Sequence, residues 1–341
     1  MSGFGHPALF AGDQQPEEPV DAQREIVDPH HHFWHSRGNG PYLLEDLWAD
    51  TGSGHNVTRT VFVECRANYR ETGPEELRCV GETEFVAAIA SASAAGAGAR
   101  VSGIVAHADL RHERLDEVLD AHEEAGSGLF RGIRHAGACD PHPEVLSIPG
   151  RAPEGLYRDE SFRHGLRRLG ERGLTYDTWH YHHQNADFAD LARRAPETTM
   201  VLDHFGTPLG VGPYAGRREE IYDDWRRDIE AIAECPNVVA KLGGLAMPDN
   251  GFGWSERATP ATSDELVEQH ERYYLHMLEH FGAGRCMFES NFPVDKLSVS
   301  YAAYWNAAQK IAGRLPEEDQ IALFSGTAER VYRLGAAPGN G

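Results

Sequence analysis

The chain has 341 residues, 40% of them hydrophobic, which is enough for one large core or two ordinary domains. Its 53 acidic residues outnumber 32 lysines and arginines, and the formal net charge is -21. Because such a surface repels phosphate backbones and anionic lipid, we expect neither a nucleic acid nor a membrane as partner. The predicted class is a soluble acidic enzyme.

The first 24 residues are rich in Gly, Pro, Gln and acid, and they predict a flexible arm or a segment that orders only against a partner subunit. Short apolar runs typical of buried strands then recur at wide intervals. There are eight of them, at 25–28, 58–63, 101–106, 129–133, 174–181, 199–202, 237–242 and 285–288. Helical patterns lie between them, at 75–94, 115–122, 161–172, 188–194, 217–234 and 264–281, and follow the last strand at 301–311 and 317–332.

Eight strands that alternate with helices are the signature of a (β/α)8 TIM barrel, an α/β fold predicted here as a single domain over residues 25–335, with a short tail at 336–341. A doubly wound open sheet alternates in the same way, but no GxGxxG follows the first strand. The loops after strands four, six and seven are long and rich in Gly, Pro and aromatic residues, at 136–158, 205–216 and 243–262. Loops of this length favour a functional role.

The first predicted strand ends in Asp28-Pro-His30-His31-His32, directly behind Ile26 and Val27. Because strand side chains alternate, His30 and His32 are expected on one face and His31 on the other. Two imidazoles that converge at a strand end are good metal ligands. Asp28 shares their parity and could orient an imidazole from a deeper position.

Further histidines end the fifth and sixth predicted strands. His180 and His182 share a face, and either a site role or a polar strand terminus explains them. His204 follows the apolar Val201 and Leu202. An imidazole at the end of such a strand is a good general acid/base or metal ligand. Alternatively, His204 and Asp203 only cap the loop.

Basic side chains inside predicted strands are also candidates. Arg131 and Arg134 in the fourth strand have opposite parity, so at most one points into a barrel, where it would clamp a carboxylate or polarise a carbonyl. Lys241 in the seventh strand fits an interior ion pair or a Schiff base.

Two acidic positions and one amide complete the set. Glu289 and Asn291 share parity in the eighth strand, so both are expected to point inward, and Glu64 closes the second strand. Each could instead belong to an ion pair in the barrel interior. Aromatic residues of the loops, among them Trp34 and Trp179, predict a substrate pocket of moderate size or serve as packing.

These residues, in this order, resemble the amidohydrolase superfamily, and within it the amidohydrolase-related branch of TIM-barrel hydrolases that contains sugar and dicarboxylate lactonases. The matching segments run from about residue 25 to 334: Val27-Asp-Pro-His30-His-His32-Phe-Trp34, Val61-Phe-Val-Glu64-Cys, Phe130-Arg-Gly-Ile-Arg134, Val201-Leu-Asp-His204-Phe-Gly, Lys241-Leu-Gly-Gly244 and Met287-Phe-Glu-Ser-Asn291-Phe-Pro-Val-Asp295-Lys. The combination is specific for the branch and not for a substrate.

The resemblance implies that water opens a small organic lactone or a similar cyclic ester or amide. It also implies one divalent metal, zinc first, on His30, His32 and His182. On this basis we hypothesise that the carbonyl is polarised by that metal, or by a histidine and Arg134 directly. Water would be activated by a carboxylate, with Glu289 preferred, and His204 would assist proton transfer or hold the developing oxyanion. Some lactonases of the branch work without a metal, so a metal-independent reaction is a further possibility.

The eighth strand departs from the family pattern, which has Asp after Ser where this chain has Asn291. An amide cannot act as a general base and is a weaker metal ligand than a carboxylate. Three interpretations follow: Glu289 replaces the carboxylate from the same face, Asp295 reaches in from the loop, or the usual water activation is absent.

Two other functions stay open. Related barrels decarboxylate aromatic acids, which would make the chain a metal-dependent lyase, and loss of the base would leave a non-catalytic barrel that binds a small molecule. The absence of a signal-peptide pattern and the five scattered cysteines favour the cytoplasm. The oligomeric state is open, a homodimer included.

Overall fold

A computed structural model describes residues 17–37 and 40–335. The strands are β1 (Glu25–His31), β2 (Asn56–Val63), β3 (Arg100–Ala106), β4 (Phe130–Arg134), β5 (Thr175–Thr178), β6 (Met200–Leu202), β7 (Val238–Leu242) and β8 (Cys286–Phe288). They form one parallel sheet in chain order. Hydrogen bonds from Asn291 N to His30 O and from His32 N to Phe292 O join the two outer strands and close the barrel. The predicted (β/α)8 fold is therefore confirmed.

Helices surround the barrel. They are α1 (Leu44–Thr51), α2 (Val80–Ala95), α3 (Leu115–Ala125), α4 (Glu160–Glu171), α5 (Asn185–Arg194), α6 (Arg218–Ala233), α7 (Ser263–Phe281), α8 (Tyr301–Ala312), α9 (Glu317–Ile321) and α10 (Thr327–Val331), the last two joined by a π-helical turn at Ala322–Gly326. The periodicity does not predict α1, which buries only Leu47 and Thr51. No helix within 17–37 and 40–335 is long and apolar enough to cross a membrane.

The lower half of the barrel interior is apolar. The side chains there pack against the C-terminal segment 328–334 and form one cluster: Val27, Val61, Val63, Val105, Val201, Val239, Met287, Ala328, Val331, Tyr332 and Leu334. Burial of these side chains stabilises the folded state by about 25 cal/mol for each Å² of apolar surface removed from water. The cluster fills one end of the barrel, so the polar interior lies at the carboxyl ends of the strands.

The described part of the predicted arm, residues 17–24, lies against α8. Val20 N donates to Asn306 Oδ1 at 2.8 Å, and Asp21 N donates to Gln309 Oε1 at 2.9 Å. Because Asn306 and Gln309 are buried, these backbone groups satisfy side chains that water cannot reach. The rest of the predicted arm, residues 1–16, and the tail at 336–341 lie outside the described residues.

The long loops after β4, β6 and β7 interlock above the barrel. The buried Asp249 carboxylate accepts Ser147 N at 2.6 Å and Ile148 N at 2.9 Å, which ties the seventh loop to the fourth. Asn250 Nδ2 donates to Pro208 O at 2.7 Å, which ties the seventh loop to the sixth. Together the three loops cover the polar interior, whose side chains are almost wholly buried.

Candidate active site

A local irregularity in β1 aims its histidines. The register with β2 shifts between Asp28 and His31, and Asp28 Oδ1 accepts His30 N at 3.3 Å in the turn made by Pro29. Strand alternation therefore breaks between Asp28 and His30. Asp28 accepts Ser290 Oγ at 2.6 Å and Tyr301 Oη at 2.9 Å outside the barrel, so the prediction that it orients an imidazole is wrong.

His30 and His32 face each other inside the barrel, with 3.3 Å between their Nε2 atoms. His32 Nδ1 donates to Val63 O at 2.8 Å, which leaves a lone pair on Nε2. His31 points to the other side, where Thr60 Oγ1 contacts its Nε2 at 2.9 Å and the ring packs edge-on to Phe33. The predicted division of the three histidines between two faces is confirmed.

Glu289 lies next to the Nδ1 atoms of two of the imidazoles. Its Oε1 lies 2.6 Å from His204 Nδ1, and its Oε2 lies 2.6 Å from His30 Nδ1. The hydrogen bond to Glu289 places the His204 proton on Nδ1 and leaves its Nε2 as a lone pair, whereas His30 Nδ1 also lies 3.3 Å from the Lys241 ammonium, so Glu289 alone does not set the His30 tautomer. Burial, only partly offset by Lys241, raises the pKa of Glu289 to about 8. His204 itself has a positive φ of 53°, which is rare for a residue with a side chain and is often found at functional sites.

Arg134 points inward and Arg131 does not, as the opposite parity predicts. Arg134 Nε donates to Glu64 Oε1 at 3.0 Å, and its Nη1 lies 3.3 Å from His30 Nε2 and 3.5 Å from Asp203 Oδ2. Arg131 Nη1 instead donates to Gly128 O at 2.7 Å. Burial alone would raise the pKa of Glu64, but the Arg134 guanidinium outweighs it and lowers that pKa. Glu64 therefore serves as the carboxylate partner of Arg134.

Lys241 lies at the bottom of the polar interior between two carboxylates. Its Nζ is 2.9 Å from Asp177 Oδ2 and 3.2 Å from Asp203 Oδ1, and all three side chains are fully buried. Burial disfavours the ammonium, but the two carboxylates outweigh it and raise the pKa of Lys241 to about 12. The ammonium stays protonated, which favours the interior ion pair over a Schiff base. The sequence analysis missed Asp177 and treated Asp203 as a loop cap, although a carboxylate in a buried strand is itself a signal.

The charges of this cluster do not cancel. Arg134 and Lys241 supply two positive charges, and Glu64, Asp177, Asp203 and Glu289 supply four negative ones when ionised, which leaves two in excess. A buried net charge is costly, so protons or a cation must balance it. Burial, despite Lys241, raises the pKa of Asp203 to about 6, in line with partial protonation.

A divalent metal fits the same cluster. The His30 and His32 Nε2 atoms lie 3.3 Å apart, a spacing that suits two imidazole ligands of one tetrahedral zinc. The carboxylate behind His30 is the usual support of a metal-bound imidazole. His30, Asp203 and His204 also each offer a buried ligand atom, all within 4.8 Å of one another.

Asn291 lies outside this cluster. Its Nδ2 donates to Asp295 Oδ1 at 2.9 Å, and Asp295 Oδ2 accepts Ala246 N at 3.2 Å. The parity argument fails because β8 ends at Phe288 and Asn291 has a φ of 55°. Asn291, which was predicted to point inward as a catalytic residue, therefore contacts Asp295 and not the histidines, and the replacement of the family carboxylate by Asp295 stays a prediction.

His182 also lies away from the histidines that were predicted to share a metal with it. Its Nδ1 accepts Leu209 N at 3.3 Å, and its ring packs on Tyr214 beside a surface pocket of 340 Å³. The strand β5 ends at Thr178, three residues before the predicted end, so strand alternation does not reach His182. The described buried donor group consists of His30, Asp203 and His204 without it. His180 is bound to Asn185 Oδ1 at 2.9 Å.

The two predicted aromatic residues have different positions. Trp34 is buried, stacks on His32 with 6.3 Å between ring centroids and donates its Nε1 to Gly40 O at 3.0 Å. Trp179 packs edge-on to Tyr181 among the long loops, and its buried Nε1 has no protein acceptor in the described residues. Trp34 therefore borders the histidines, whereas Trp179 belongs to the loop cover.

Two glycines after β7 make room for the catalytic side chains. A Cβ on Gly243 would lie 2.0 Å from Glu289 O, and one on Gly244 would lie 2.4 Å from His204 Nδ1. Gly244 also has a φ of 78°, which disfavours any other residue. The Gly-Gly pair thus lets Glu289 and His204 approach the strand end.

Replacement of Gly244 by Ala is expected to displace the His204 ring and to lower kcat without removing any ionisable group. Steady-state kinetics of Gly244→Ala check this, with Gly284→Ala as the control, because a Cβ on Gly284 meets nothing within 4 Å. Equal kcat values for the two variants would contradict the packing role of Gly244.

Glu82 is a second buried carboxylate, behind Glu64. Its Oε1 accepts Cys65 N at 3.0 Å and Ala67 N at 2.6 Å, and burial, then Glu64, raises its pKa from 4.5 to about 8. The folded state therefore keeps a proton that the unfolded state releases above pH 4.5, so this group lowers stability as the pH rises from about 4.5 to about 8. Glu82→Gln keeps an acceptor for both N–H groups. We expect urea denaturation to show a smaller loss of stability over this range than in the wild type.

Known proteins resemble this chain over almost its whole length. The sequence matches the amidohydrolase family over residues 27–334. It is 30% identical to an uncharacterized protein of Sinorhizobium fredii over 330 residues, covering 91% of this chain and 98% of that one, and 27% identical to an L-fucono-1,5-lactonase of Burkholderia multivorans over 322 residues, covering 90% and 96%. A crystal structure of a Burkholderia multivorans amidohydrolase with bound zinc superposes with a TM-score of 0.72 at 24% identity, covering 91% of this chain and 99% of that one. The chain belongs to the amidohydrolase family.

Proposed function

We propose that this amidohydrolase opens a small organic lactone by attack of water. The observation that carries the proposal is the hydrogen bond of 2.6 Å between the Glu289 carboxylate and His204 Nδ1, with the second carboxylate oxygen 2.6 Å from His30 Nδ1. This arrangement presents an unprotonated His204 Nε2 in a buried polar interior that also holds the Arg134 guanidinium beside His30. The likeness to an L-fucono-1,5-lactonase supports a cyclic ester of sugar type as the substrate class.

His204 is the proposed general base. Burial lowers its pKa to about 3, so the imidazole is neutral and Nε2 can accept a proton from water. The carboxylate on Nδ1 stabilises the imidazolium that forms while the water oxygen bonds to the carbonyl carbon. When the ring C–O bond breaks, this proton passes to the leaving oxygen, and the new carboxylic acid releases the second proton of the water, so the products are a hydroxyl group, a carboxylate and one proton in solution.

Arg134 is the proposed oxyanion donor. Its Nε donates to the Glu64 side chain and its Nη2 to the Glu64 carbonyl, while Nη1 lies in the polar interior, 3.3 Å from His30 Nε2 and 3.5 Å from Asp203 Oδ2. A guanidinium fixed in this way needs no reorganisation when the carbonyl oxygen becomes negative. A divalent metal held by His30 and His32, with His204 or Asp203, would supply polarisation of the carbonyl and a water of lowered pKa.

Steady-state hydrolysis of a panel of five- and six-membered lactones, followed by acid release, tests the proposal. Arg134→Gln is expected to lower kcat/KM by about 10²–10³-fold, the effect of losing one oxyanion donor. Arg131→Gln is the matched control, because it lies on the same strand and points away from the site. No turnover of any lactone by the wild type, or equal losses in the two arginine variants, would overturn the proposal.

The other two predicted functions have less support. The main reason to expect a non-catalytic barrel was the absence of a carboxylate at Asn291. Glu289 supplies a buried carboxylate at the site and so weakens that reason. A decarboxylase would use the same fold, and carbon dioxide release from a carboxylated aromatic substrate without lactone turnover would favour it.

A further inference from the structure

Helices α6 and α7 bring three possible metal ligands together on the outside of the barrel. His276 and His280 are one turn apart on α7, and their ring centroids are 4.4 Å apart. Glu230 of α6 faces both, with Oε1 at 3.7 Å from His276 Nε2 and 3.9 Å from His280 Nε2. All three offer a ligand atom within 4.8 Å of the others.

We propose that Glu230, His276 and His280 form a second metal site, specific for a first-row divalent transition metal such as Zn²⁺ or Ni²⁺. Two imidazoles and one carboxylate are ligands that these ions accept, whereas Mg²⁺ and Ca²⁺ prefer oxygen alone. The site is separate from the barrel interior and independent of the proposed lactonase reaction.

The exposure of the ligands makes the site accessible. The side chains of Glu230 and His280 are 43% and 31% exposed, and that of His276 is 8% exposed. Three protein ligands leave at least one position for water, so an ion here exchanges more readily than in a closed four-ligand site.

One existing contact opposes binding. His276 Nε2 donates to Arg226 O at 3.2 Å, and a metal on this nitrogen must break that bond and shift the proton to Nδ1. The separations of 3.7 and 3.9 Å must also shorten slightly. In return, the ion would link α6 to α7, and such a link stabilises the folded state while the ion is present.

Equilibrium dialysis of the untagged, chelator-treated full chain against Ni²⁺, with elemental analysis, tests the site. We expect His280→Gln to bind one Ni²⁺ ion fewer per chain than the wild type, whatever the barrel interior binds in both. His142→Gln is the matched control. His142 is an exposed histidine whose Nδ1 lies 3.6 Å from the Glu144 carboxylate, but no second histidine takes part in this contact. Its stoichiometry is expected to equal that of the wild type.

Thermal unfolding gives the second readout. Ni²⁺ is expected to raise the Tm of the wild type and of His142→Gln more than that of His280→Gln, and Glu230→Gln is expected to bind the ion more weakly. Equal Ni²⁺ stoichiometry in the wild type and His280→Gln, or the same loss in His142→Gln, would overturn the proposal.

Discussion

Replacement of Glu289 by Gln is expected to lower kcat for lactone hydrolysis by about 10⁴-fold, the loss seen when the carboxylate behind a catalytic imidazole becomes an amide. The physical reason is that an amide can accept the His204 Nδ1 proton through only one of its two ends and removes the negative charge that lies 2.6 Å from His30 Nδ1. KM is expected to change little, because Glu289 lies behind the imidazoles and not toward the substrate. Steady-state kinetics measure both constants.

Glu82→Gln is the control for this experiment. It makes the same substitution at another fully buried carboxylate whose pKa is also raised, but Glu82 contacts the backbone of the loop after β2 instead of an imidazole. We expect its kcat to stay within a few fold of the wild type. A Glu289→Gln enzyme with wild-type kcat would show that the carboxylate only fills space.

Replacement of Lys241 by Met is expected to destabilise the fold by about 3–5 kcal/mol, because it leaves buried carboxylates without their cation. Asp177 and Asp203 are both fully buried and lie 2.9 and 3.2 Å from Lys241 Nζ. Urea denaturation measures the change. The difference from the wild type is expected to shrink as the pH falls toward about 6, because loss of Lys241 raises the pKa of Asp203 further and the variant takes up this proton at a higher pH than the wild type.

The matched control is Lys310→Met. Lys310 pairs with Asp264 at 2.7 Å on the surface, where the carboxylate side chain is 87% exposed. Surface ion pairs contribute about 0–1 kcal/mol, so the expected loss is several times smaller. Similar losses for the two lysine variants would contradict the account of the buried ion pair.

Much of the fold and part of the site follow from the sequence because a barrel obeys simple rules. Strands that are buried on both faces appear in the sequence as apolar runs. These runs predicted the positions of all eight strands to within a few residues. Strand alternation separated His30 and His32 from His31, and Arg134 from Arg131. These predictions held within regular strands and for the first residue after a strand, as for His32 after β1.

The predictions failed beyond the strand ends. β5 stops at Thr178 and β8 at Phe288, so parity says nothing about His182 or Asn291, which follow them. Asp28 failed because a register shift interrupts β1. The bridging role of Glu289 depends on where three separate strands place its neighbours, and no local pattern in the sequence contains that information.

The most direct test of the account follows the oxygen of water. Turnover of a lactone substrate in water enriched in oxygen-18 is expected to place one labelled oxygen in the new carboxylate of the product per turnover, while no carbon dioxide is released. A product without the label, or carbon dioxide release from a carboxylated substrate in its place, would contradict hydrolysis at the centre formed by His30, His204 and Glu289.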